Sequence, residues 1–305
     1  MTAENFFLKK YENTPFIPTK CFTFANSETE TWKDMAIITL TSDWGASGYY
    51  AAAVKGVILS RLPDAIIVDV THSVPPFDST SAGFALKNCF QSFPPGTIHI
   101  IAVETVESTK TPHAVVKAHG QYFIGTDNGV FRQVFSEFEE AIVIKELQDT
   151  DSYNFCERDR FAKVAVMIAQ GVPLSEIGTP LYQLNGAEFC AVVHDDSIEG
   201  TVIHIDSYEN LITNISRDDF ERARRGREFT IMLNSRLYTI NKISDCYLDV
   251  PNGEPVAIFG THGYLEIAIC HAKIASLYGI ELFATIRVDF GNKANAAPEG
   301  KLFGF

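Results

Sequence analysis

Two carboxylates in this chain stand where an apolar, β-rich run gives way to a turn. Asp43 follows AIITLTS in the segment TSDWG, and Glu104 follows TIHIIAV in the segment AVETVES. His72 and Asp78 flank the loop HSVPPFD, which follows another such run, PDAIIVDVT. In open α/β sheets, ligands bind beyond the carboxyl ends of the strands. A carboxylate placed there can accept hydrogen bonds from the hydroxyls of a ribose. It can equally cap the helix that follows. Both roles stand open for Asp43, whereas Asp78 directly precedes a helical run, which favours capping. No Gly-x-Gly-x-x-Gly follows the first run and no phosphate-loop lysine is present, so the usual devices for a pyrophosphate are missing. A bound nucleoside would therefore be phosphate-free.

The cysteines offer less. Cys21, Cys89, Cys156, Cys190, Cys246 and Cys270 form no Cys-x-x-Cys pair, and none lies near a histidine at zinc-finger spacing. No metal site is expected. Dispersed single cysteines read as reduced, cytosolic thiols.

Strand-like runs alternate with helix-forming ones over the first half. AIITLT, PDAIIVDVT and PPGTIHIIAV read as strands, and YYAAAVKGVILSRL and STSAGFALKNCFQSF as the helices between them. That order implies βαβ units. HAVVKA, QYFIG and EEAIVIKEL are further strands, RFAKVAVMIAQG is a helix, and 173–196 is a connection. From Gly200 the texture changes to short strands, GTVIHID, EFTIML, RLYTINKIS, PVAIFG, YLEIAI and ATIRVDF, with short helices at RDDFERAR and HAKIASLY. The expected fold is α/β. An N-terminal extension (1–33) precedes a Rossmann-like, mostly parallel sheet domain (34–190). A linker (191–199) then leads to a small all-β barrel (200–305).

The bulk numbers narrow the partners. The 305 residues carry a net charge of −13 with 46% hydrophobic content. Such a field repels nucleic-acid phosphates and anionic membrane surfaces and attracts a cationic ligand. No run approaches the roughly 18 apolar residues of a membrane span. MTAENFFLKKYENTPF has no apolar core before a cleavage site, so a cytoplasmic location is expected.

TLTSDWGASGYYAAAVKGVILSRLPDAIIVDVTHSVPPFD resembles the opening of the S-adenosyl-L-methionine (SAM) hydroxide adenosyltransferase family, whose relatives include nucleophilic halogenases. FPPGTIHIIAV, GTDNGVF, RDRFAKVAVMIAQGVPLSEIG, GTVIHIDSYENLITNI and GTHGYLEIAI follow in the family's order, so the resemblance covers residues 36–290. It implies a homotrimer with SAM between the N-domain of one subunit and the C-domain of the next. SAM itself would be substrate or ligand, and no other cofactor is implied. Asp43 would chelate the ribose 2′ and 3′ hydroxyls. Asp206 and Asn210 would lie near adenine and the methionine end, Phe77 would line the reacting centre, and Thr261 and His262 would hold the methionine carboxylate. On their own terms, Asn210 could cap a turn and Phe77 could be core.

The pattern departs from the family at its catalytic triad. Hydrolase relatives carry VDPGVGS with an Arg shortly after, and FHGRD later; their Asp, Arg and His activate water. Here the first motif reads VETVEST, so Glu104 replaces the Asp and Lys110 or Thr111 falls near the place of the Arg. The second reads FCERD: Cys156 replaces the His, while Arg158 and Asp159 survive. Glu104, Cys156 and Arg158 are therefore the candidate catalytic residues. Cys156 could be inert filler or a nucleophile. Glu157 stands where a halogenase has Ser, and a carboxylate there would repel halide. Two functions follow as expectations: a SAM hydrolase with altered catalytic groups, or a SAM or adenosine binder that has lost the chemistry.

Overall fold

The computed structural model describes residues 35–145, 154–187, 190–233 and 238–291. The extension read over 1–33 lies outside the described residues. The first domain is a seven-stranded sheet in the order β2-β1-β3-β5-β4-β6-β7. Its strands are β1 (Ile37–Ser42), β2 (Ile66–Thr71), β3 (Ile98–Ala102), β4 (His113–Ala118), β5 (Gln121–Thr126), β6 (Glu140–Ile144) and β7 (Gly178–Pro180). Its helices are α1 (Tyr50–Arg61), α2 (Ser79–Lys87), α3 (Val130–Val134), α4 (Ala162–Ala169) and α5 (Leu174–Ile177).

Both faces of this sheet are covered, so β1, β3, β4 and β5 are buried almost throughout rather than on alternate residues. Ile98 and Ile100 point to the face packed by α1 and α4, alongside Val54, Ile58, Val164 and Ala165. Ile101 points to the opposite face with Ala82 and Leu86 of α2 and Phe131 of α3. Such adjacent residues serve two cores because strand side chains alternate sides.

The sheet expected to be mostly parallel is mixed. β2, β1, β3 and β5 pair in parallel, but β4 runs antiparallel to β5 and β6, and β6 to β7. The reason is the connection between β4 and β5. It is only His119 and Gly120, both at positive φ (52° and 70°), the backbone of a tight hairpin. Two residues cannot carry the crossover that a parallel pair requires.

At the carboxyl end of the parallel strands a π-helical turn, Glu157–Phe161, leads directly into α4. The helix expected from Arg160 thus begins earlier, and four acidic and basic residues of CERDR sit on its first turn. The expected connection after residue 173 contains α5, β7 and, farther on, β8 (Val192–Val193).

The named strands of the second domain pair antiparallel, in the order β12-β11-β15-β9-β10-β14-β13, with β8 on the flank of β9. Its strands are β9 (Ser197–Ile205), β10 (Leu211–Ser216), β11 (Phe229–Leu233), β12 (Tyr238–Ile240), β13 (Pro255–Phe259), β14 (Tyr264–Ile269) and β15 (Thr285–Phe290), with helices α6 (Arg217–Arg224) and α7 (Ile274–Tyr278). β8 and the start of β9 occupy the stretch read as a linker. Beyond β12, Ile243 pairs with Ala257 of β13, so the sheet nearly closes into a barrel. Phe220 fills its centre, edge-on to Phe229, Phe259 and Phe290 at 5.1, 5.4 and 5.7 Å. β10 was not expected as a strand. Its apolar run is broken by Thr213 and Asn214, which are buried because the barrel satisfies them. Thr213 Oγ1 donates to Leu265 O (2.9 Å) and Asn214 Oδ1 accepts from Thr201 N (2.7 Å).

One buried histidine ties the first domain's stability to pH. His99 on β3 lies between Thr39 Oγ1 (2.7 Å) and Gln121 Oε1 (2.5 Å). Gln121 spends its amide nitrogen on Phe90 O and Phe93 O. His99 Nε2 therefore carries the proton and Nδ1 accepts from Thr39. Burial lowers its pKa from 6.5 to about 4. The unfolded imidazole takes up a proton first, so the contribution is complete above pH 6.5 and declines toward pH 4. Melting temperature should fall across that window, and His99→Gln, though less stable near neutrality, should show a shallower fall there.

Candidate active site at the strand ends

β1 and β3 end level, with Ser42 paired to Ala102, so Asp43 and the segment from Val103 leave the sheet side by side. Asp43 does not cap the next helix: α1 begins at Tyr50 and has no side-chain cap. Instead Asp43 Oδ2 accepts a hydrogen bond from Phe77 N at 3.0 Å. That bond holds Phe77 at φ 65°, with its ring 73% exposed over the strand ends, so it is no core residue. Asp43 Oδ1 has no protein donor among the described residues. Asp78 is a true cap, taking Ser81 N at 3.0 Å on Oδ1 and Ser81 Oγ on Oδ2. His72 bonds Ser42 Oγ at 2.7 Å and stacks on Trp44, 5.7 Å between centroids.

Glu104 also sits at positive φ, 50°, with an exposed side chain. Its backbone is braced from below, where Asn128 Nδ2 donates to Val103 O and Glu104 O (3.2 and 3.3 Å). Asp127, buried, accepts Asn185 N on both oxygens, and Asn185 Nδ2 donates to Lys110 O at 2.6 Å. The DNG motif thus works as a bracket for the loop from 103 to 110. Lys110 and Thr111 lie in a small turn closed on Ser108 Oγ.

The CERDR turn approaches from above. Cys156 is buried with Sγ 3.5 Å from Thr105 O. Burial, reinforced by the charge of Glu157, pushes its thiol up to about 12. Glu157 is only 7% exposed and accepts from Thr105 Oγ1 at 2.6 Å. Arg158 does not reach Glu104 or Cys156: it grips Asp159 with Nε and Nη2 (2.6 and 2.7 Å) and lies over the Phe155 ring at 5.0 Å. Phe155 in turn meets Trp44 and Tyr50 edge-on, at 6.3 and 5.3 Å. These rings wall the strand ends.

Sequence reasoning missed a charged network beneath this floor. Arg160 Nη1 donates to Glu107 Oε2 (2.6 Å) and to His113 Nδ1 (2.8 Å), and His113 Nε2 donates to Thr105 O (2.8 Å). Burial lowers the His113 pKa, consistent with a neutral ring accepting from arginine. The only linear signal was an Arg beside FCERD and a His opening a strand.

In the barrel domain, Asp206 and Asn210 hold their own turn. Asp206 Oδ1 accepts from Tyr208 N (2.9 Å) and Asn210 N (2.8 Å), and Oδ2 from Asn210 Nδ2 (3.1 Å). Thr261 is exposed beside His262, whose Nδ1 accepts from Tyr264 N (3.1 Å) and whose Nε2 faces Glu266 at 3.2 Å. Glu266 is buried on β14 and also accepts from Tyr247 OH, a pairing not anticipated. Phe84 of α2 stacks on His204 at 4.8 Å and leans on His262 at 5.9 Å, so α2 seats the barrel. No hydrogen bond, ion pair or ring contact among the described residues joins Asp206, Asn210, Thr261 or His262 to Asp43 or Phe77. Nor do these residues include a cluster of three or more His, Cys, Asp or Glu able to hold a metal.

Both domains match known ones. Residues 38–178 match the SAM hydroxide adenosyltransferase N-terminal domain and residues 200–287 its C-terminal domain. The chain is 30% identical over 267 residues to (R)-S-adenosyl-L-methionine hydrolase of Methanocaldococcus jannaschii, covering 83% of this chain and 95% of that one. The chain belongs to the SAM hydroxide adenosyltransferase family. It is also 26% identical over 288 residues to a fluorinase of Actinoplanes sp., covering 83% and 97%. The crystal structure of an uncharacterized conserved protein from Thermotoga maritima superposes with a TM-score of 0.74 at 28% identity, covering 83% of this chain and 99% of that one.

In this family member the thiol at Cys156 is a protonated, enclosed group. A rise from 9.0 to about 12 leaves on the order of a thousandfold less thiolate than an unperturbed cysteine. Alkylation by iodoacetamide at pH 8, followed by mass spectrometry, should therefore modify exposed Cys246 readily and leave Cys156 untouched until the protein is denatured.

Proposed function

We propose that this protein binds SAM against the ends of β1 and β3 and hydrolyses it to adenosine and L-methionine. The observation that carries the reading is Asp43: its carboxylate stands at the end of β1, one oxygen anchoring Phe77 and the other open. That oxygen suits a ribose diol, as the family resemblance implies. The exposed Phe77 ring and the wall of Trp44, Tyr50 and Phe155 supply apolar faces for the nucleoside, and the acidic surroundings favour a sulfonium cation.

The chemistry asks little of the leaving group. Attack at the 5′ carbon releases sulfur as a neutral thioether, so the protein must chiefly align water, exclude its neighbours and accept a proton. Among the described residues Asp206, Asn210, Thr261 and His262 make no hydrogen bond to Asp43 or Phe77. We read the site as shared between copies, the barrel of one subunit closing over the strand ends of the next in a homotrimer, working in the cytoplasm. A second reading, a binder without turnover, draws on Cys156 and on the turn at Lys110 and Thr111: neither offers the imidazole or guanidinium that the family's triad uses.

Incubation of the protein with SAM and chromatography of the products should reveal adenosine, and Asp43→Ala should weaken SAM binding about a hundredfold, on the order of 3 kcal/mol for two lost charge-assisted hydrogen bonds. SAM bound with no adenosine formed would select the second reading; unaltered binding by a folded Asp43→Ala variant would remove Asp43 from the site. Light scattering at micromolar concentration should return the mass of three chains, and a monomer would refute the shared site.

A further inference from the structure

Glu157 is a buried carboxylate to which the resemblance assigns no role. Such groups almost never leave water unless paired, yet among the described residues no lysine or arginine nitrogen lies within ion-pair distance of it. Arg158 is committed to Asp159, and Arg160 to Glu107 and His113. Its neighbours are neutral: Thr105 Oγ1, donating at 2.6 Å, and the protonated thiol of Cys156. Keeping a carboxylate out of water without a charged partner is costly, so one retained at the edge of the strand ends asks for a function. The edge is well defined. β1 and β3 stop level, Ser42 beside Ala102, so the loop that carries Thr105 leaves the sheet next to Asp43, and the π-helical turn bearing Glu157 meets that loop through Thr105 Oγ1.

We propose that Glu157 is the general base for water, in place of the triad this chain lacks; the proposal rests on the hydrolysis reading above. Oxygen of water bonds to the ribose 5′ carbon as the bond from that carbon to sulfur breaks. The bonding pair goes to sulfur, which leaves as the neutral thioether of methionine. The proton of water passes to Glu157 and then to solvent, so SAM and water become adenosine, methionine and one proton. The other candidates are disqualified by their partners. Cys156 has no thiolate to offer. His113 uses Nδ1 to accept from Arg160 and Nε2 to donate to Thr105 O, leaving no lone pair. Glu104 turns its carboxylate to solvent.

Glu157→Gln keeps the shape and an acceptor for Thr105 but cannot take the proton. It should lower kcat by about a hundredfold or more, leave the calorimetric Kd for SAM within about threefold, and abolish the acidic limb of the kcat profile against pH. A folded Glu157→Gln variant with kcat near the wild-type value overturns the base and leaves the hydrolysis reading intact. Equal losses in binding and turnover make Glu157 structural and overturn it too. A wild type that binds SAM and forms no adenosine removes the base together with hydrolysis. Should thermal melting show Glu157→Gln unfolded, Glu157→Asp decides: the shortened carboxylate should keep the limb with kcat down tenfold or more, and full activity refutes the role.

Discussion

Every loop that matters here leaves the sheet from one edge, because β1 and β3 run parallel and stop in register. Parallel pairing puts both carboxyl ends together, and covering both faces with helices forces the polar residues out to that edge. Asp43 and Glu104 are the first charged residues beyond the buried strands β1 and β3. The hydrogen bond from Phe77 N to Asp43 then couples the loop after β2 to the end of β1, and the π-helical turn closes over β3 through Thr105. Remove the shared register and none of these contacts can form.

The environment of two neighbouring glutamates shows how the same functional group acquires different uses. Glu104 lies on a left-handed backbone that turns its side chain outward, and solvent screens its charge. Glu157 is buried against the Thr105 hydroxyl and the protonated Cys156 thiol. Charge in such a place interacts strongly with whatever enters. An anion such as halide would be repelled there.

Arg160 and His113 occupy the layer beneath the floor, tied to Glu107 and to the carbonyl of Thr105. They shape the backbone that carries Thr105, and so orient the hydroxyl that meets Glu157. The DNG bracket acts on the preceding residues from the other side, through Asn128. Between them the loop after β3 keeps its shape although its sequence lacks the glycines of the family motif.

Much of this was legible in the linear chain. Apolar runs of β-branched residues located β1, β2 and β3, and the change of texture at Gly200 located the barrel, because burial on one or two faces leaves a periodic trace. Asp78 as a cap followed from its position before a helix. What the chain could not reveal was pairing between distant residues. β4 and β5 were visible as strands, but their antiparallel sense came from a two-residue turn whose positive φ values only the folded backbone displays. β10 was hidden because Thr213 and Asn214 look like loop residues until the barrel supplies their partners. Glu157 and Thr105 lie 52 residues apart, and Arg160 and His113 lie 47 apart. A carboxylate or imidazole has no chemistry fixed by its place in the sequence; its burial and its hydrogen-bond partners, set by tertiary packing, decide whether it screens, braces or takes a proton.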